Sequence, residues 1–92
     1  MKYKHRLPDH LIQKVAYFEE FANGATQVSL KLKDGTLFKQ VLISNSEWII
    51  AIRGYSELPF DPSQIDDAFQ TDEDKNPKKH GGWDFWDKRD QK

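Results

Sequence analysis

Residues 28–50 read VSLKLKDGTLFKQVLISNSEWII. Val28, Leu30 and Leu32 alternate with Ser29, Lys31 and Lys33, which is the period-two pattern of a strand with one wet face. Asp34-Gly35 follows, a strong short-range hairpin signal. The return run contains Leu37, Phe38, Val41, Leu42 and Ile43, and its alternation is imperfect. A two-residue turn pairs Leu32 with Leu37 and puts Lys39 opposite Leu30, on the core face. A three-residue loop instead turns Phe38 and Leu42 inward, with Gln40 between them. One slip exchanges every side chain between the faces. The bulk of Phe38 selects the second register. A strong bend would let both faces bury apolar groups.

Outward from this hairpin, Ser44-Asn45-Ser46-Glu47 is a polar turn, and residues 48–53 (WIIAIR) read as a central strand buried on both sides. Gly54 ends it. Residues 57–60 suit a short fourth strand, with Pro59 pointing to a sheet edge. Asp61-Pro62-Ser63-Gln64 has the form of a capped helical turn, with Asp at the N-cap, Pro at the first position and Gln at the third. Residues 65–69 then read as a short strand. Upstream, Leu11, Val15, Phe18 and Ala22 lie on one helical face, widened by Leu7 and Ile12. Asp9 is the candidate N-cap and Asn23-Gly24 the candidate stop, so a helix is expected over 9–22.

These elements define an α+β class: an N-terminal helix packed on a small, strongly bent antiparallel sheet or barrel of about five strands, followed by a flexible C-terminal tail. The layout resembles the Sm-like small barrel, a relative in form of the SH3-like barrels. Residues 28–50 are similar to the first Sm motif in the alternating strand, the turn glycine at Gly35, the aromatic at Phe38 and the later aliphatic at Leu42. The resemblance implies a small barrel and, in family members that bind RNA, an aspartate and an asparagine at positions occupied here by Ser46 and Ile50. The glycine that helps the second strand bend corresponds to Gln40. Ile52-Arg53-Gly54 looks like the second Sm motif, but it follows the first without the intervening strand and is read as coincidence. The likeness therefore supports the barrel and weakens the RNA-binding inference.

The chain has 92 residues, 37% of them hydrophobic, and no cysteine, which leaves room for one small domain and excludes folds needing about 150 residues or more. Disulfides, thiolate chemistry and cysteine-based zinc sites are excluded with the cysteine. No apolar run has the length of a membrane span and no signal-peptide core is visible, so a cytoplasmic protein is expected. His5, His10 and His80 have no metal-ligand spacing, and no nucleophile stands beside a base; no catalytic residue, metal or cofactor is expected. Asp66 and Asp67 are adjacent on a strand and point to opposite faces. Charge is uneven, at +3 over residues 1–39 and −4 over 40–70. Lys2, Lys4, Arg6, Lys31 and Lys33 form the candidate nucleic-acid contact, although an overall charge of −1 argues against a dedicated binder.

Three parts are expected: a basic arm over 1–6, the helix and barrel over 7–70, and a charged tail over 71–92. The tail carries six acidic and six basic residues and no aliphatic one, a composition that does not fold alone. Within it, Gly81-Gly82-Trp83-Asp84-Phe85-Trp86-Asp87 concentrates three large rings. Trp83, Phe85 and Trp86 either cover an apolar gap in their own domain or anchor a partner, since rigid rings bury large areas at low entropic cost. The expected function is a non-enzymatic protein-interaction module that self-associates or takes a protein partner through a strand edge, at 57–60 or 65–69, or through the aromatic tail. An RNA- or DNA-associated Sm-like protein is the alternative.

Overall fold

The computed structural model describes residues 4–77. Chain order is β1 (His5–Arg6), α1 (Asp9–Ala16), β2 (Ala25–Leu32), β3 (Leu37–Ser44), β4 (Trp48–Ile52), a 3₁₀ turn (Pro62–Gln64), β5 (Ile65–Phe69) and a helical turn α2 (Asp72–Lys75). The five strands form one antiparallel sheet in the order β1-β4-β3-β2-β5, curled into a half-barrel. The capped turn at 61–64 forms as the sequence specifies. The Asp61 carboxylate accepts from the Ser63 N–H at 2.9 Å, and the Gln64 side chain accepts from the Asp61 N–H at 3.0 Å.

The hairpin uses both registers that the sequence leaves open. Leu30 faces Phe38 across the sheet and Lys31 faces Leu37, which is the three-residue-loop register. Gly35 makes that loop possible with φ of +92°. Between these pairs and Val28↔Val41 the register shifts by one residue. Gln40 takes φ of +56°, a left-handed conformation that costs a non-glycine residue about 1 kcal/mol, and the extra residue forms a β-bulge. Phe38 therefore packs, half-buried, on the main core as expected. Leu42 does not. Val41 and Ile43 turn to the main core in its place, and Leu42 turns to the other face.

Glycine at position 40 relieves the left-handed strain. Gln40→Gly is expected to leave stability unchanged or raise it by up to about 1 kcal/mol, against a cost of about 1 kcal/mol at an ordinary strand position. Urea unfolding of the variant checks this; a loss of about 1 kcal/mol or more would remove the bulge from the account.

A second shift, between Leu42 and Ile43, adds Ile50 as an extra residue of β4. The sheet thus has two apolar faces. One carries Val28, Leu30, Leu32, Val41, Ile43, Ile49, Ile52, Ile65 and Ala68, all buried together with Leu7, Leu11 and Val15 from the N-terminal segment. The other carries Leu42, Ile50 and Ala51, flanked by Phe21, Ala25 and Trp48. Two cross-strand rows order this second face: Gln27↔Leu42↔Ala51 and Ala25↔Ser44↔Trp48. The apolar run at 48–52 is continuous because β4 buries side chains on both faces.

Three expectations need correction. First, the helix ends at Ala16 rather than 22. Tyr17 and Phe18 donate to Lys14 and Val15 in tight closing turns, and Gln70 then captures Glu19, accepting from its N–H and donating to its carbonyl. These tertiary bonds replace helical ones and free Phe21 to reach the second face. Asp9 is the first helical residue and not the cap, which is Pro8. Gly24, with φ of +77°, closes the excursion where an added Cβ would lie 2.9 Å from the Asn45 side chain.

Second, residues 57–60 form no strand and supply no edge. Leu58 and Phe60 fold onto the main core, where Phe60 meets Phe38 at a ring distance of 4.8 Å. Third, the boundary at 70/71 falls inside an ordered contact. Thr71 caps α2, and Asp74 within it is buried. Of the N-terminal arm, His5 and Arg6 belong to the sheet.

Candidate interaction surfaces

No described group gathers three metal-ligating side chains. The Asp67 carboxylate is held by Lys14 at 2.6 Å, whereas Asp66 offers its backbone carbonyl to His10 Nε2 at 3.3 Å. Both contacts tie α1 to β5. The opposite edge differs. β4 pairs with β1 only at Trp48 and Ile49, because β1 has two residues. Among the described residues, the outer side of β4 beyond Ile49 has no strand beside it.

The described candidate basic residues differ in their surroundings. Arg6 is bound by Glu47 at 2.6 Å and by Asp9 at 2.5 Å, and these carboxylates raise its already high pKa, Glu47 contributing most. Lys31 is exposed but sits opposite Asp67 in the β2–β5 register. Lys33 is exposed at the hairpin loop, and Lys4 is exposed ahead of β1. Lys2 lies outside the described residues, as do His80 and the aromatic trio Trp83, Phe85 and Trp86.

Lys14, followed by weaker contacts, holds the Asp67 carboxyl below its ordinary range; hydrogen bonds from Thr36 and from Ser63 do the same for Asp34 and Asp61. A carboxylate with a depressed folded-state pKa contributes stability that is present above its unfolded value, near 4, and lost as pH falls through the folded value. Stability is therefore expected to decline below about pH 4. Asp67→Asn should remove part of that slope and at most about 1 kcal/mol near neutrality, since the pair is half exposed. Thermal unfolding across the acid range checks both; a profile that rises on acidification would contradict it.

Sequence reasoning missed one polar centre. Asp74 accepts from Gln27 Nε2 at 2.7 Å, from Ser29 Oγ at 2.9 Å and from the Thr71 N–H at 2.9 Å. Asp74, Gln27 and Ser29 are each 1% exposed. The network fastens α2 to the second face of β2. A signal was present: Thr71-x-x-Asp74 is a capping-box spacing, which marks a helix start inside a segment that composition assigns to the tail. Beside α2, an open groove of about 420 Å³ runs between Tyr17, Phe18, Phe69 and Gln70. Tyr17 is 90% exposed on its wall.

Comparison with family models, curated proteins and solved structures finds no match for this chain. Among the described residues no helix is long and apolar enough to cross a membrane.

Proposed function

We propose that this chain is a small, non-enzymatic protein-interaction module that self-associates by adding a strand to the open side of its half-barrel. The observation that carries this reading is the inequality of the two sheet edges. α1 is tied to β5 through His10 and Lys14, whereas β4 pairs with β1 only at Trp48 and Ile49, and Ile50, Ala51 and Ile52 beyond them, although buried, have no strand beside them among the described residues. A strand edge without a neighbouring strand offers a row of donors and acceptors that a second strand can complete by main-chain hydrogen bonds. A second copy of this chain is the proposed occupant. An Sm-like relationship and a cytoplasmic location belong to the same proposal. The alternating first long strand, the bent hairpin and the final strand returning beside the first are in keeping with that barrel.

Sedimentation and amide hydrogen exchange over a range of protein concentrations test it. The expected result is a concentration-dependent oligomer, with protection growing selectively within residues 50–52. A chain that stays monomeric throughout, or protection that does not change at β4, would refute it.

The nucleic-acid alternative has less support. Two carboxylates neutralise Arg6, and Lys31 has Asp67 as its cross-strand neighbour. Binding of a random oligonucleotide that weakens steeply with salt would restore that alternative, because phosphate contacts release counterions.

A further inference from the structure

The chain has three asparagines, Asn23, Asn45 and Asn76, which precede Gly24, Ser46 and Pro77. The carboxamide carbon of an asparagine is electrophilic, and the nearest nucleophile is the backbone nitrogen of the next residue. The two close a five-membered imide when that nitrogen carries a hydrogen and no Cβ obstructs its approach. Pro77 has no N–H, and Ser46 carries a Cβ beside its nitrogen. Gly24 meets both conditions.

The fold leaves both reacting groups accessible. Asn23 is exposed in the turn between Ala22 and Ala25, which the Ala25 N–H closes by donating to the Ala22 carbonyl at 2.9 Å. Gly24 holds φ of +77° at the third position of that turn, a place where glycine is favoured. Its carbonyl accepts from the Asn45 N–H at 2.8 Å. Among the described residues, the Gly24 N–H has no acceptor and the Asn23 carboxamide has no hydrogen-bond partner. Asp34-Gly35 offers related chemistry but is guarded. The Gly35 N–H donates to the Leu32 carbonyl at 2.9 Å, and the Thr36 N–H donates to the Asp34 carboxylate at 2.9 Å. Hydrogen bonds from Thr36 also lower the Asp34 pKa and keep that group ionised, a poor target for a nucleophile.

We propose that Asn23 is a site of spontaneous deamidation, which the open turn ahead of β2 permits in the folded chain. The Gly24 nitrogen bonds to the side-chain carbonyl carbon of Asn23 and gives its proton to solvent. The bond from that carbon to the carboxamide nitrogen breaks, and ammonia leaves with a proton from solvent. Water then opens the imide. Addition at the former side-chain carbonyl yields aspartate on the original backbone. Addition at the main-chain carbonyl yields isoaspartate, in which the chain runs through the side-chain carboxyl. Both products add a negative charge, and isoaspartate lengthens the backbone by one methylene. That length enters the turn whose Gly24 carbonyl joins the start of β2 to the β3–β4 turn at Asn45. The proposal is independent of strand addition at β4, since it involves neither that strand nor a second chain.

The test incubates the full chain at mildly alkaline pH, folded in buffer and unfolded in urea, and follows each asparagine by peptide mapping and mass spectrometry. An isoaspartyl methyltransferase with a labelled methyl donor reports isoaspartate. In the folded chain, Asn23 is expected to convert at a rate within about tenfold of its rate in urea, with isoaspartate among the products. Asn45 should convert at least about tenfold more slowly than Asn23. Asn23→Gln, whose longer side chain disfavours ring closure, should abolish methyl uptake, and its amide spectrum shows whether the fold is kept. Three results would overturn the proposal: conversion at Asn23 slowed by more than about tenfold on folding, conversion at Asn45 as fast as at Asn23, or methyl uptake that persists in Asn23→Gln.

Discussion

Asp74→Ala is expected to lower the free energy of unfolding by about 2–4 kcal/mol, a large effect for a residue in a segment whose composition reads as tail. The carboxylate is 1% exposed and accepts three hydrogen bonds, two of them from side chains that are themselves buried. Removing it leaves the Gln27 amide and the Ser29 hydroxyl enclosed without their acceptor, and a buried unsatisfied donor costs about 1–3 kcal/mol. The reciprocal half of the capping box, in which Asp74 Oδ2 accepts from the Thr71 N–H, is lost as well, whereas the Thr71 hydroxyl keeps its bond from the backbone N–H of residue 74. Asp74→Asn should cost less than alanine but more than zero. An amide keeps one acceptor oxygen but turns an NH₂ toward groups that donate to the carboxylate. Asp72→Ala and Glu73→Ala, at exposed positions of the same turn, provide the comparison and should stay within about 0.5 kcal/mol of wild type. Urea unfolding measures all four. A loss below about 0.5 kcal/mol for Asp74→Ala would mean that the network does not hold α2 in solution.

Ile43→Ala is expected to cost about 3–4 kcal/mol and Leu42→Ala about 2–3 kcal/mol. Ile43 is fully buried in the larger cluster, where Val41, Ile49 and Ile52 prevent collapse around a deletion. Leu42 is also buried, but its neighbours belong to the smaller cluster with half-buried flanks, which can relax further. Two adjacent residues of one strand that both carry core-sized penalties are the energetic signature of a sheet buried on both faces. In a half-wet strand one of the pair would be near neutral. If either substitution costs under about 1 kcal/mol, one face is not a core.

Much of the local structure was legible because it rests on short-range rules. The Asp34-Gly35 hairpin, the strand alternation of residues 28–32 and the capped turn at 61–64 each depend on neighbours within a few positions. The hairpin register was legible only in part. Gln40 is an ordinary strand residue by composition, and nothing local announces that it adopts positive φ. What places the bulge there is the later need to put Val41 and Ile43 on one side and Leu42 on the other, which is a tertiary requirement. The helix end was hidden for the same reason, since Glu19 is captured by Gln70 from a distant strand. The run at 57–60 looked like a strand because Leu58 and Phe60 alternate, yet they alternate in order to fill the core beneath Phe38. At the surface, the candidate basic set looked like a patch in one dimension. Folding brought Glu47 and Asp67, charges that a one-dimensional tally assigned elsewhere, against it, together with Asp9 from the same half of the chain.

The two-faced half-barrel turns on the change of register within the β2–β3 hairpin, and cross-strand proton contacts in solution measure it directly. Short contacts for Leu30 with Phe38, together with Val28 with Val41 and Thr26 with Ile43, are the expected result. A single uniform register, with Leu30 opposite Phe38 and Val28 opposite Gln40, would contradict it: Leu42 would then join the main core, and the second face and the Gln27–Leu42–Ala51 row would not exist.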